Sequence, residues 1–144
     1  MNFYTSSSFR KSVSALTRKA KDGYKSVIED ILRLFRAWMI ILRETNDRIR
    51  QEQNFRIVKL RVKNSQLKLA KKDGFRLIYW VSTKSDNLVL LSVYPKRGPH
   101  AINNLANTEF LRLLQEMLDE KLQCILQKVD INHNLTIIDD SCGW

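Results

Sequence analysis

Phe75-Arg76-Leu77-Ile78-Tyr79-Trp80-Val81 and Asn87-Leu88-Val89-Leu90-Leu91-Ser92-Val93-Tyr94 are the stretches whose reading decides the fold. Both are rich in aromatic and β-branched side chains, which suit the pleated surface of a strand. The polar loop Ser82-Thr83-Lys84-Ser85-Asp86 between them has hairpin length. Consecutive strands with so short a connection pair antiparallel. Upstream, Phe55 to Val62 alternates moderately, with Ile57 and Leu60 out of strict phase, and reads as a third strand. Lys63 to Asp73 separates it from Phe75 as a basic loop ending in Asp-Gly.

Working outward, Asn2-Phe3-Tyr4-Thr5 is a short candidate strand. Any of Ser6, Ser7 and Ser8 could then cap a helix by accepting an unpaired amide hydrogen. Phe9, Val13, Leu16 and Ala20 recur at helical spacing, and Asp22-Gly23 ends the run. A second helix is predicted from about Tyr24 to Arg50, with a stripe of Tyr24, Val27, Ile28, Ile31, Leu34, Phe35, Trp38, Ile41 and Leu42. A last helix begins near Asn107 or Thr108. Its expected core stripe is Phe110, Leu111, Leu114, Met117, Leu118, Leu122, Ile125 and Leu126. The reading is an α+β domain: a small antiparallel sheet packed with two N-terminal helices, plus a C-terminal helix. Residues 1–128 are expected to form one domain. Residues 129–144 are an extension in which Asn134–Ile138 is a short strand or the tail is loose.

Charge supplies the first functional clue. The chain of 144 residues has 25 Lys+Arg against 15 Asp+Glu, a net charge of +10 that favours a polyanionic partner. Residues 54–76 hold eight basic groups (Arg56, Lys59, Arg61, Lys63, Lys68, Lys71, Lys72 and Arg76) against Asp73 alone. A segment so loaded is either a nucleic-acid footprint or a solvated loop. The longest apolar run, Ala37 to Leu42, falls far short of the ~20 residues of a membrane span. Polar Thr5 to Ser8 and basic Arg10 and Lys11 replace the apolar stretch of a signal peptide, so a cytoplasmic location is expected. Cys124 and Cys142 then read as free thiols. With only His100 and His133, and no CxxC or HxxxH pairing, no metal or other cofactor is expected.

Lys59-Leu60-Arg61, a basic loop, Asp73-Gly74-Phe75-Arg76-Leu77-Ile78-Tyr79 and then Leu90-Leu91-Ser92-Val93-Tyr94-Pro95-Lys96 resemble the RelE/HigB group of bacterial type II toxins. The likeness covers about residues 3–118 and keeps element order. It rests on the joint spacing of these segments, no one of which is specific. The loop departs from the family pattern in having one glycine, Gly74, preceded by Asp73. The resemblance implies a RelE-like, microbial ribonuclease-like fold. It also implies metal-independent cleavage of mRNA, usually on the ribosome, and a cognate antitoxin that wraps the toxin. Gyrase-inhibiting ParE-type relatives and degenerate RNA binders on the same fold are the alternative.

Cleavage through the 2′-hydroxyl requires a base, positive charge on the phosphorane and an acid for the leaving oxygen. Arg61 and Arg76 sit at the loop end of an antiparallel pair. There they could clamp one phosphate, or simply be arginines on a solvated face. Lys59 shares the face of Arg61 and is a phosphate contact or a base. Tyr94, Lys96 and His100 lie where the third of these strands ends. His100 is the most conventional acid/base there, since its ordinary pKa lies near neutrality. Arg97, Lys63, Lys68, Lys71 and Lys72 read as RNA-binding residues that add affinity and salt dependence.

Overall fold

The computed structural model describes residues 1–18, 20–38 and 48–139. Among them, three α-helices and one mixed seven-stranded sheet make an α+β fold. In chain order these are β1 (Asn2–Thr5), α1 (Ser7–Thr17), α2 (Val27–Trp38), β2 (Arg48–Gln51), β3 (Phe55–Val62), β4 (Phe75–Ser82), β5 (Asn87–Pro95), α3 (Asn107–Leu122), β6 (Gln127–Asp130) and β7 (Thr136–Asp139). The strand order is β2-β3-β4-β5-β1-β6-β7. Antiparallel β3, β4 and β5 are the three strands expected from the sequence.

Three expectations are corrected. The sheet is mixed, because β1 runs parallel to β5, with Phe3 opposite Leu88. No short loop joins these two strands, and the long connection between them permits a parallel alignment. Arg48–Gln51 is an edge strand on β3, with Gln51 opposite Arg56, rather than the end of a helix. The apolar stripe stops at Leu42, so the polar residues after it have no helix face to bury. Ile41 and Leu42 of that stripe lie outside the described residues. Cys124 is disulfide-bonded, not a free thiol. Cys142, the other cysteine, lies outside the described residues.

The C-terminal segment continues the sheet. β6 pairs with β1, Val129 opposite Phe3, and β7 folds back on β6. Asn134 and Leu135, at φ 56° and 58°, make the turn before β7.

The sheet is buried on both faces. Phe9 and Leu16 of α1 and Val27, Ile31 and Phe35 of α2 cover Leu77, Tyr79, Leu88, Leu90 and Val93. Leu113 and Met117 of α3 meet Ile57, Ile78, Trp80 and Leu91 on the other face. Fully burying each such side chain contributes about 1.5–3 kcal/mol. Half of the stripe expected for α3 and the residues after it packs on this face, Met117 and Leu126 buried and Phe110 and Leu114 partly so, but Leu111, Leu118, Leu122 and Ile125 are exposed, while Leu113 and Glu120 are buried. The cause is polar. Glu120 accepts from the Ser7 amide at 2.9 Å, and Glu116 accepts from the Ser8 amide at 3.0 Å. These carboxylates sit on the unpaired amides of the first turn of α1, where negative charge is favoured. Ser6 caps the same helix, accepting from the Phe9 amide at 3.3 Å.

Candidate functional site

The strand register builds a row of three polar side chains. Arg61 of β3 is opposite Arg76 of β4, which is opposite Tyr94 of β5. Direct partners in antiparallel strands project to the same face. A register shift between Ile78 and Tyr79 makes Leu91 an extra residue in β5. This bulge lets Leu91 face α3 while Tyr94 keeps the face of Arg76. Lys59 lies two residues before Arg61 on the same face.

The three residues of the row differ in what they offer. Arg61 is exposed. Arg76 is only 6% exposed, and its guanidinium is turned onto the loop. Its Nη1 donates to the carbonyl of Lys71 at 3.0 Å and its Nη2 to that of Lys72 at 2.8 Å. Arg76 therefore contributes positive charge and fixes the basic loop. It does not offer an open fork to a phosphate, as the two-arginine clamp would require. The Tyr94 hydroxyl is buried and has no hydrogen-bond partner. Burial pushes it above the ordinary phenol range, against the downward pull of Arg76, so it is a neutral phenol.

Lys96 completes the cluster. Burial, then the positive charges of Arg76, Lys59, Arg97 and Arg61, hold its ammonium below the usual lysine range. Its Nζ donates to the Asn103 carbonyl, and its amide donates to the Gly74 carbonyl at 2.9 Å. Gly74 is required at that position, since a Cβ there would lie 2.1 Å from the Val62 carbonyl oxygen. Arg97 is engaged with Asp73, Nη2 to Oδ1 at 2.8 Å, and so ties the loop after β5 to the end of the basic loop.

His100 is held by other partners. Its Nε2 lies 3.2 Å from Oδ2 of Asp22, in the linker between α1 and α2. Its amide donates to the hydroxyl of buried Tyr24 at 3.1 Å, and that hydroxyl donates to the Arg97 carbonyl at 2.9 Å. The structure thus gathers Lys59, Arg61, Arg76, Tyr94, Lys96 and Arg97, and anchors His100 on the linker. Lys63, Lys68, Lys71 and Lys72 are exposed on the basic loop.

That loop is a fixed structure. Asn64, 1% exposed, exchanges backbone hydrogen bonds with Leu69, and its Nδ2 donates to the Gly23 carbonyl at 2.9 Å. Asp30, 4% exposed, accepts from Ser26 Oγ at 2.7 Å and from the Ser65 amide at 3.0 Å. Hydrogen bonds to a charged group are each worth about 1.5–3 kcal/mol, enough to hold a loop of this size. Sequence reasoning missed Tyr24, Asp30 and Asn64. The one available signal was Asp30 between Ile28 and Ile31, which does not by itself name a partner; Asn64 lies between Lys63 and Ser65 and gave none.

Among the described residues, no group of three or more His, Cys, Asp or Glu is placed to hold a metal ion. No helix there is long and apolar enough to cross a membrane. No protein-family model, curated protein or solved structure matches the chain.

Proposed function

We propose that the protein is a toxin of the RelE/HigB type: an endoribonuclease that cuts mRNA, acts on the ribosome and is held inactive by a cognate antitoxin in the bacterial cytoplasm. The observation that carries this reading is the Arg61–Arg76–Tyr94 row with Lys59 and Lys96 around it, on a chain of net charge +10. The element order from β1 to β5, with both N-terminal helices on one face, supports a RelE-like arrangement. In this reading Arg61 contacts the scissile phosphate, and the fixed charge of Arg76 adds to the stabilisation of the phosphorane. Lys96, held below the usual lysine range, takes the 2′-hydroxyl proton, and the neutral Tyr94 phenol donates toward the leaving oxygen.

The engagement of the Arg76 guanidinium with loop carbonyls favours a second reading, a protein of this fold that binds its target without cutting RNA. One experiment separates them: inducible expression in a bacterium with primer extension on abundant messengers, comparing wild type with Arg61→Ala. Growth arrest with cuts inside translated regions, lost in the variant, is expected. Arrest without cuts overturns the nuclease and leaves the binding protein, with gyrase as a target to assay.

A further inference from the structure

We propose that the outer face of α3 is a two-fold interface on which a second copy of this chain lays its own α3 antiparallel. The proposal stands apart from the nuclease reading, because it uses neither the Arg61 cluster nor the basic loop. α3 is buried through Leu113, Met117 and Glu120. Its opposite side carries Leu111, Leu118 and Leu122, which are 55%, 41% and 82% exposed. Gln115 is exposed as well, and the row Leu111, Gln115, Leu118, Leu122 steps by four, three and four residues. That spacing puts all four on one narrow stripe of a helix. It is the a/d seam of a coiled coil, narrower than the stripe by which a helix packs on its own domain. Among the described residues no element covers it. Large apolar side chains in one row, on a helix already buried through its other side, mark a surface that takes a partner.

The charges choose the partner. The chain has a net charge of +10, yet α3 holds Glu109, Glu116, Asp119 and Glu120 against Arg112 and Lys121. A polyanion is therefore disfavoured on this helix, and a second copy does not meet the excess of cations carried elsewhere. In the antiparallel pairing Leu111 packs on Leu122 of the second copy, and Gln115 on its Leu118. Each contact occurs twice, as two-fold symmetry requires. The same register sets Arg112 beside Asp119 of the other copy, so two pairs of opposite charge flank the seam. A parallel pairing leaves both residues without such a partner. Arg112 and Asp119 are exposed, and Arg112 is held at the edge of the seam by Glu109 and Glu116 of its own helix. Gln115 is the one polar residue in the row. Its Nε2 donates to Asp119 Oδ1 at 2.9 Å within the helix, so its amide enters the seam with a partner. One polar seam residue costs some stability and fixes register.

The test is sedimentation velocity of the full chain from micromolar to millimolar concentration, with wild type, Leu118→Gln/Leu122→Gln, Asp119→Arg and Ile102→Gln. Ile102 is 38% exposed in the loop after β5 and controls for general stickiness. All the substituted positions are exposed, so thermal melts of the variants are expected to match wild type. Wild type is expected to pass from monomer to dimer as concentration rises. The double leucine variant is expected to raise the dissociation constant about tenfold or more. Asp119→Arg is expected to raise it about fivefold, and Ile102→Gln to leave it unchanged. A wild type that stays monomeric throughout overturns the dimer and leaves the stripe to a different chain. A dimer that loses nothing in the double leucine variant, or loses as much in Ile102→Gln, also overturns it. A dimer weakened by the leucine changes but unmoved by Asp119→Arg overturns the antiparallel register.

Discussion

Arg61 and Arg76 face each other across the β3–β4 ladder, yet one guanidinium is exposed and the other is buried against the carbonyls of Lys71 and Lys72. A shared register position thus supplies two different functions, one open to ligand and one holding the loop. Arg61→Ala is expected to leave stability within about 0.5 kcal/mol of wild type, as for an exposed site, and to abolish RNA cleavage. Arg76→Ala is expected to cost about 2–4 kcal/mol, because it strips the carbonyls of Lys71, Lys72 and Phe75 of a charged donor and leaves a cavity. Thermal melts beside cleavage assays check both, and an Arg76→Ala as stable as wild type would remove the loop-holding role.

Tyr94→Phe separates stability from activity. The Tyr94 hydroxyl is buried without a partner, so its removal relieves a desolvation cost. The variant is expected to match or exceed wild type by up to about 1 kcal/mol in denaturant unfolding. Cleavage is expected to fall about a hundredfold if the phenol donates in the reaction. A destabilised Tyr94→Phe would mean that the hydroxyl has a structural partner after all.

Lys96 sets a pH dependence whose sign is fixed. Its pKa lies below the usual lysine range, from burial first and then from the charges of Arg76, Lys59, Arg97 and Arg61. As a base it works when neutral, so the rate should rise with pH through that depressed value. Lys59→Gln removes one repelling charge and should move the rise to higher pH. Stability carries the same signature. Between the depressed value and the ordinary 10.5, the unfolded chain binds more protons than the folded one, so Lys96 favours folding increasingly as pH rises there. A pH–rate profile unmoved by Lys59→Gln would remove Lys96 as the base.

The strands that carry this cluster were legible because Phe75–Val81 and Asn87–Tyr94 are continuous runs of strand-forming side chains with a short polar turn. Once those were paired, the adjacency of Arg61 and Arg76 followed from loop geometry alone. What each guanidinium touches did not follow, since that depends on where the loop carbonyls turn. Asn64 meets Gly23 across 41 residues, and His100 meets Asp22 across 78, separations at which no periodicity speaks. The rotation of α3 was hidden for another reason. Its apolar residues spread wider than one face, and Glu116 and Glu120 docking on α1 accompany the turn that buries Leu113 and leaves Leu111 and Leu118 exposed.

Gly74 is the position where the loop and the cluster depend on the closest approach. Its Cα faces the Val62 carbonyl, and a Cβ would sit 2.1 Å from that oxygen, with the Asn64 amide at 2.9 Å. Backbone cannot yield there as a flexible side chain would. Gly74→Ala is therefore expected to cost about 3 kcal/mol or more, seen as a fall in melting temperature of roughly 10 °C.

Glu120 tests the docking of α3 by the same logic of buried polar groups. It is 4% exposed and accepts from the Ser7 amide at 2.9 and 3.1 Å, with Arg10 at 3.9 Å beyond. Removing the carboxylate orphans an amide at the positive end of α1 and leaves the Arg10 charge without its acidic neighbour. Glu120→Ala is expected to destabilise the fold by about 2–3 kcal/mol, with Glu120→Gln recovering part of that through its amide oxygen. Half-exposed Glu109, which binds Arg112, provides the contrast. Glu109→Ala is expected to cost under about 1 kcal/mol, as surface ion pairs do. Equal losses at both positions in urea unfolding would show that α3 is held by its apolar face alone.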